Sequence, residues 1–239
     1  MEGKKYTFED FCRIVEALRA PDGCPWDRAQ THGSLERCMI EEAYEAVEGI
    51  RRYEASGDGG NLCEELGDVL LQVVLHAQIA REEGIFTMED VVQGISEKMI
   101  RRHPHVFGTG HVQDAREVVK SWEEIKQEEK AGKRRPVNPL EEVPAAFPAL
   151  IRAVKVQKKL EKLDPDRSEP DAEETAALLK SLEEGEISGE LLEEKTGELL
   201  YRICDLARRQ GIYPESALAG AVEERIRSYG KRKNIREIP

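Results

Sequence analysis

Two acidic motifs in the first third of the chain combine residue types and spacings that suit cation binding. They are EEAYE at residues 41–45 and EELGD at residues 64–68. On a helix, residues three or four apart lie on one face, so Glu42 pairs with Glu45, and Glu65 pairs with Asp68. The spacing therefore predicts two helices that each present a pair of carboxylates.

Both pairs lie beside apolar residues that repeat with helical period. Glu42 falls on the row of Leu35, Cys38, Met39 and Ala46, and Asp68 heads the row of Leu71, Leu75 and Ile79. A second apolar side of the later helix runs from Leu62 to Ala77, which predicts a buried bundle helix. Carboxylates left unpaired there cost several kcal/mol each, so a cation is expected among them.

The ligand chemistry of this cluster indicates which cation. Oxygen ligands without His or Cys suit a hard ion such as Mg²⁺, with Mn²⁺ as a substitute. Mg²⁺ held by a few carboxylates usually shares its other positions with water and substrate phosphates. The alternative is a solvated face of acidic helices, but two pairs that both adjoin apolar rows favour a metal site.

Cationic and aromatic residues further along the chain suit a nucleotide. Lys98, Arg101 and Arg102 end a predicted helix, where they complement the helix dipole and could also contact phosphate oxygens. Trp122 and Lys126 are four residues apart on a later helix. Such a pair can hold a nucleotide between an indole and an ammonium group.

Composition limits the class of protein. The 239 residues include 36 Lys and Arg against 48 Asp and Glu, a net charge of −12 that argues against nucleic-acid binding as the main task. Bound metal ions would still allow a nucleotide. Five cysteines without a CxxC pair favour a reducing compartment, and no signal peptide or membrane-spanning apolar run is apparent. We expect a cytosolic protein without membrane contact.

The pattern of caps and breaks predicts an all-α protein. Thr7 and Thr87 open capping boxes, Ser34 is the predicted N-cap of the first acidic helix, and Gly84 ends the second. We predict an N-terminal unit over 1–130, a linker over 131–143 and a C-terminal unit over 144–239. Its helices are expected near 144–163, 172–184, 189–209 and 214–229.

The C-terminal unit resembles an altered copy of the first. Gly197-Glu198-Leu199-Leu200 echoes Gly67-Asp68-Val69-Leu70, and the order of elements is the same. Ala177 stands where the first unit has Glu45, and Lys195 replaces Glu65. We expect Lys195 to supply the positive charge that a metal supplies in the first unit, so the second unit would bind Mg²⁺ weakly or not at all and would be structural.

Taken together, these residues resemble the MazG family of the all-α nucleoside triphosphate pyrophosphatase superfamily. The matching motifs are EExxE at 41–45, ExxD at 65–68, AREEG at 80–84, RRHPHVF at 101–107 and SWEEIK at 121–126. The resemblance is strong up to about residue 142 and fainter beyond it. It implies a homodimer in which four-helix bundles are completed across subunits.

The resemblance also implies an activity and a set of roles. The activity is Mg²⁺-dependent cleavage of NTPs or dNTPs between the α and β phosphates, which gives a monophosphate and pyrophosphate. By analogy, Glu41 holds or deprotonates the attacking water. The other implied roles are metal binding by Glu42, Glu45, Glu65 and Asp68, phosphate binding by Lys98, Arg101, Arg102 and Lys126, and nucleoside binding by Trp122.

Two other functional classes remain open from the sequence. A carboxylate-bridged di-iron bundle uses similar helices, but normally with Glu-x-x-His, and His76 is the one nearby histidine. A non-catalytic helical scaffold would explain the second unit but not the acids of the first.

Overall fold

The computed structural model describes residues 4–110, 112, 114–131, 137–166, 172–184 and 188–232. Within these ranges the regular elements are helices and no strand occurs, which confirms the predicted all-α class. None of the described helices is both long and apolar enough to cross a bilayer. The chain divides into two compact units, Met1–Gly132 and Lys133–Pro239, and each is described separately.

The first unit is built around one long helical hairpin. Its two long helices pack on each other, and the second of them also contacts the first and fifth helices of the unit. The core they enclose consists of Val15, Leu35, Val74, Leu75 and Ile79. The helices are α1 (Phe8–Arg19), α2 (Pro25–Ala29), α3 (His32–Ser56), α4 (Gly60–Glu82), α5 (Met88–Arg102), α6 (Pro104–Phe107) and α7 (Ala115–Ala131).

Side-chain caps fix where these helices begin. The predicted capping boxes at Thr7 and Thr87 are both present. The prediction for α3 is wrong by three residues, because Thr31 is the N-cap and Ser34 is the third helical residue. Thr31 and Ser34 exchange hydrogen bonds between side chain and backbone, so the box satisfies two backbone amides.

The two long helices are buried to different extents. Leu35 and Ala46 of α3 are buried, as their row predicts, and so is the later half of α4. The prediction that α4 is buried on both sides is wrong for its first half, since Leu66 and Leu70 are 53% and 39% exposed. Within the first unit these two leucines therefore remain at least partly on the surface.

The second unit places one helix at the centre of three others. That helix contacts each of the remaining three long helices of the unit, with Val154, Gln157 and Cys204 in the core. Buried Asp205 is ion-paired with Arg208 and Arg209 at 2.9 and 2.6 Å. The elements are a 3-10 helix (Pro139–Glu142), α8 (Ala149–Leu163), α9 (Ala172–Glu183), α10 (Glu190–Arg209) and α11 (Pro214–Arg232).

Two boundaries predicted from the sequence, the linker and the start of α8, differ from those in the structure of the second unit. The 3-10 helix lies inside the predicted linker 131–143 yet packs on α8, where Glu142 accepts from Lys159 at 2.7 Å. Residues 132–136 of that linker lie outside the described part. Helix α8 begins at Ala149 rather than near 144, with Pro148 as its N-cap residue in an extended conformation.

Candidate active site on the α3–α4 hairpin

The turn between α3 and α4 and one buried glycine bring the two acidic segments together. Gly57 has φ of 76°, a left-handed conformation that ends α3 and allows the chain to reverse. A Cβ built on Gly49 would lie 3.1 Å from the Cα of Leu62 and 3.5 Å from the Cγ of Glu65. A glycine therefore permits the helices to approach closely beside Glu65. Gly49 was not among the predicted site residues, although a glycine inside a helical pattern is a signal of close packing.

Three predicted metal ligands converge in this hairpin. Glu42 and Glu45 of α3 and Glu65 of α4 each offer a carboxylate oxygen, and these oxygens lie within 4.8 Å of one another. Glu42 and Glu65 are half-buried, whereas Glu45 is exposed. The acids thus lie at least partly open to solvent in the single chain, and they are less buried than their apolar rows predict.

Both burial and the neighbouring acids affect the pKa of Glu42. It is raised above its ordinary value, first because burial disfavours the charged carboxylate, and then because of neighbouring negative charges. Asp68 is the strongest of these charges, ahead of Glu45, Glu65 and Glu41. Asp68 is not within the three-residue group, but it belongs to the same concentration of negative charge.

This donor set fits a hard divalent cation. Oxygens bound to one Mg²⁺ at about 2.1 Å are separated by about 4 Å or less, so the present arrangement requires only small side-chain movements. A cation would also relieve the repulsion that raises the pKa of Glu42. Within the described residues, the cluster of Glu42, Glu45 and Glu65 includes no histidine. This composition disfavours the di-iron alternative.

Hydrogen bonds hold two of the acids from within their own helices. Asn61 donates from Nδ2 to Oε1 of Glu65 at 2.7 Å, one turn along α4. Arg37 donates from Nε to Oε1 of Glu41 at 2.7 Å, and the Glu41 side chain is 51% exposed. Asn61 was not among the predicted site residues, although its position four residues before Glu65 is a signal for this contact.

The histidine nearest to the acids has a different partner. Nδ1 of His76 on α4 lies 2.7 Å from Nδ1 of His32 at the start of α3, and the two ring planes are within 2° of parallel. One imidazole donates and the other accepts. Burial and His32 lower the pKa of His76, so its neutral form is favoured. This pair joins the two helices beyond the acidic site.

The predicted phosphate-binding and nucleoside-binding residues gather on α5 and α7. Arg101 and Arg102 both form ion pairs with Glu129, at 2.7 and 2.6 Å. Lys126 lies over the Trp122 ring with Nζ 6.0 Å from its centroid, as the four-residue spacing predicts. Half-buried Lys98 precedes the arginines by one turn on α5.

These residues form a second cluster in the single chain. Among the described elements, α7 contacts α5, whereas it contacts neither α3 nor α4. His103 packs edge-on against Trp122, with ring centroids 4.9 Å apart, and donates a hydrogen bond from Nδ1 to the Met99 carbonyl oxygen at 2.6 Å. The indole nitrogen of Trp122 is buried without a hydrogen-bond partner. The structure thus assembles the predicted substrate residues with one another, and α7, which carries two of them, does not contact the acidic hairpin.

The corresponding place in the second unit contains an internal cation. Arg202 of α10 donates to Glu198 at 2.8 Å and is paired with Glu174 of α9 at 3.2 Å. The prediction that Lys195 supplies this charge is wrong, because its ammonium group pairs with the adjacent Glu194 at 3.7 Å. Arg202 lies one turn beyond Glu198, on the side of α10 that faces α9, and its longer fork reaches both acids.

Comparison with known proteins agrees with the motifs. The model of the MazG nucleotide pyrophosphohydrolase domain matches residues 30–107, which contain both acidic segments. A Thermotoga maritima protein named nucleoside triphosphate pyrophosphohydrolase/pyrophosphatase MazG is 43% identical over 232 residues, which are 96% of this chain and 87% of the relative. The match therefore extends across both units.

Two further relatives show the same similarity. The nucleoside triphosphate pyrophosphohydrolase of Escherichia coli K12 is 37% identical over 93% of this chain and 85% of its own length. The Bacillus subtilis protein YabN, whose function is uncharacterised, is 52% identical over 64% of this chain but only 30% of its own length. The T. maritima and E. coli matches, together with the acidic hairpin, show that the chain belongs to the MazG family of nucleotide pyrophosphohydrolases.

Proposed function

We propose that this enzyme hydrolyses NTPs or dNTPs between the α and β phosphates and releases a nucleoside monophosphate and pyrophosphate. The observation that carries the proposal is the convergence of carboxylate oxygens from Glu42, Glu45 and Glu65 within 4.8 Å. The printed names of the T. maritima and E. coli relatives support the substrate class. We assign the activity to the first unit. We propose that its role is nucleotide-pool housekeeping in the cytosol.

The acids would hold Mg²⁺, or Mn²⁺ in its place. We assign the ligand role to Glu42, Glu45, Glu65 and Asp68, which share one concentration of negative charge. When bound, the cation neutralises phosphate charge and lowers the pKa of a coordinated water. Hydrolysis of a phosphoanhydride depends on such neutralisation and on in-line positioning, so no protein nucleophile is required.

Glu41 is assigned the attacking water. It lies beside Glu42 on α3, its carboxylate is half exposed, and Arg37 holds one of its oxygens at 2.7 Å. The other oxygen is available to accept a hydrogen bond from water or to remove a proton. Arg37 would keep this carboxylate in place during turnover.

The α5–α7 cluster is assigned to the substrate. Lys98, Arg101, Arg102 and Lys126 would contact phosphates, and Trp122 would contact the nucleoside. Glu129 already orients both guanidinium groups, so they are arranged before the substrate arrives. Because α7 does not contact the acidic hairpin in the single chain, we propose that a second subunit brings Trp122 and Lys126 to the acids.

Homodimerisation is supported by the surface of the hairpin. Six large apolar side chains of α3 and α4 are between 39% and 53% exposed at the level of the acids. Several large exposed apolar side chains on neighbouring helices are typical of an interface. We propose that two hairpins pack together and complete a four-helix bundle, as the MazG resemblance implies. The residues are Ile40, Tyr44, Val47, Ile50, Leu66 and Leu70.

The second unit is assigned a structural role. Arg202 already neutralises Glu174 and Glu198, so a divalent cation would have to displace a bound guanidinium group. Ala177 and Lys195 further remove two of the ligands found in the first unit. We therefore propose that this unit does not bind Mg²⁺ and contributes to packing.

Product analysis tests the proposed reaction. The full chain is incubated with each dNTP and NTP and Mg²⁺, and the products are separated by anion exchange. Monophosphate and pyrophosphate are expected, whereas diphosphate and orthophosphate would refute the cleavage site. Asp68→Asn should reduce turnover at least a hundredfold with little change in thermal unfolding. Its matched control is Glu198→Gln on α10, which should leave turnover unchanged, and a loss there would refute the assignment to the first unit.

A further inference from the structure

Gln72 is a buried polar residue of α4 whose side chain has an unsatisfied hydrogen-bond acceptor. It is 5% exposed, and its side-chain carbonyl oxygen has no hydrogen-bond partner. A buried acceptor without a donor costs about 1–3 kcal/mol, so such a group in a functional hairpin requires an explanation. A leucine or methionine at this position would avoid that cost.

The position of Gln72 on α4 directs it toward α3. Glu65, Asp68, Gln72 and His76 follow one another at intervals of three and four residues and thus lie on one face. The ends of this row both contact α3, because Glu65 approaches Glu42 and Glu45, while His76 is bonded to His32. Gln72 lies between them, one turn deeper in the hairpin than Asp68.

The second unit shows how far a side chain at this position reaches. Arg202 follows Glu198 by four residues, as Gln72 follows Asp68, and it contacts acids of both α10 and α9. A residue at this position therefore reaches the space between the two acidic segments. Gln is shorter than Arg and neutral, so it leaves room where Arg202 fills that space with a guanidinium group.

We propose that Gln72 is a positioning residue at the floor of the acidic site, and that its side-chain carbonyl oxygen accepts a hydrogen bond from a water molecule bound to the cation. This inference rests on the proposed metal site. A water bound to Mg²⁺ is a strong donor and Mg²⁺ usually retains several waters, so the chemistry matches the acceptor that Gln72 offers. Such a contact from beyond the ligands fixes the arrangement of the site.

The test measures Mn²⁺ binding without nucleotide, by electron paramagnetic resonance of free Mn²⁺ in titrations of the full chain. Gln72→Met keeps the volume but removes the acceptor, so we expect Mn²⁺ affinity to fall at least about tenfold. The apo protein should be as stable as the wild type or more stable, because an unpaired acceptor is removed. Gln72→Glu retains an acceptor and should bind Mn²⁺ at least as tightly as the wild type.

Gln157 provides the matched control. It is 2% exposed, its carbonyl oxygen also lacks a partner, and its amide donates to the Tyr201 carbonyl at 2.7 Å in the second unit. Gln157→Met should lower stability and leave Mn²⁺ affinity unchanged. Wild-type affinity in Gln72→Met, weak binding in Gln72→Glu, or an equal loss in Gln157→Met would overturn the inference. Failure of the wild type to bind Mn²⁺ would instead refute the metal site.

Discussion

The side-chain amide of Asn61 donates a 2.7 Å hydrogen bond to the Glu65 carboxylate one turn further along α4. It links the start of the helix to a proposed metal ligand. Because the amide holds one carboxylate oxygen, the Glu65 side chain is restricted to a small set of rotamers. The same hydrogen bond therefore also restricts the position of its second carboxylate oxygen. Orientation of a ligand by a neighbour that does not bind the metal is a general feature of metal sites.

Removing this contact should weaken the metal site. We expect Asn61→Ala to lower Mg²⁺ affinity about tenfold, because Glu65 must then be ordered when the ion binds. Isothermal titration calorimetry measures the change. Asn138→Ala is the control, since Asn138 caps the 3-10 helix of the second unit at Leu140. It should cost about 1 kcal/mol of stability without altering Mg²⁺ affinity. Equal Mg²⁺ affinities in Asn61→Ala and the wild type would contradict the proposed role.

Gly49 should tolerate no side chain. In Gly49→Ala the new Cβ would lie 3.1 Å from Leu62 and must push α3 away from α4. The packing cost of about 2 kcal/mol exceeds the gain of about 1 kcal/mol in helix propensity, so the free energy of unfolding should fall by about 1 kcal/mol. The separation of the helices should also weaken Mg²⁺ binding.

Gly94 on α5 is the control for this change, because no atom lies within 4 Å of its built Cβ. Gly94→Ala should raise the free energy of unfolding by about 0.5–1 kcal/mol. Urea denaturation of the three proteins gives the comparison. A stabilised Gly49→Ala with normal metal affinity would show that the close approach is not required.

The ion pairs of Glu129 predict a pH dependence. Hydrogen bonds from Arg102, and then from Arg101, lower the pKa of Glu129 to about 2. A carboxyl group whose folded pKa is below its unfolded pKa stabilises the fold above the unfolded value of about 4.3, and the effect disappears as pH falls toward 2. Glu129→Gln should therefore be less stable than the wild type at pH 7, and this difference should shrink between pH 4.5 and 2.

Urea unfolding at pH 7, 4 and 3 measures this effect. Exposed Glu128 on the same helix supplies the control, and Glu128→Gln should follow the wild type at every pH. The stability difference between Glu129→Gln and the wild type should also decrease in high salt. The Glu129 side chain is 20% exposed, so salt partly screens its ion pairs. A difference that grows on acidification would contradict the assigned direction.

The exposed apolar surface of the hairpin predicts the oligomeric state. Leu70→Asp places a charge where the proposed subunits meet, so the dimer dissociation constant should rise about a hundredfold or more. Light scattering coupled to size exclusion measures the mass. Val137→Asp is the control, since Val137 is fully exposed outside the hairpin and its substitution should leave the dimer intact. A wild-type monomer at micromolar concentration would refute the dimer.

The sequence alone determined the all-α class, most of the long helices and the residue types of the candidate site, because these depend on local spacing. A glutamate pair at i and i+3 shares a face wherever the helix lies, which is why Glu42 and Glu45 were found together. Capping chemistry is equally local, and the error at the start of α3 arose because Thr31 and Ser34, three residues apart, can both begin a helix.

Only the tertiary structure decided which distant groups meet. The 3.1 Å approach at Gly49, the bond between His32 and His76, and the choice of Arg202 over Lys195 depend on how two helices rotate and pack. Spacing along one helix does not fix that rotation, because many pairings bury similar apolar area. The unpaired carbonyl oxygen of Gln72 also depends on the tertiary structure. Whether a buried acceptor has a donor is decided by all the groups that pack around it.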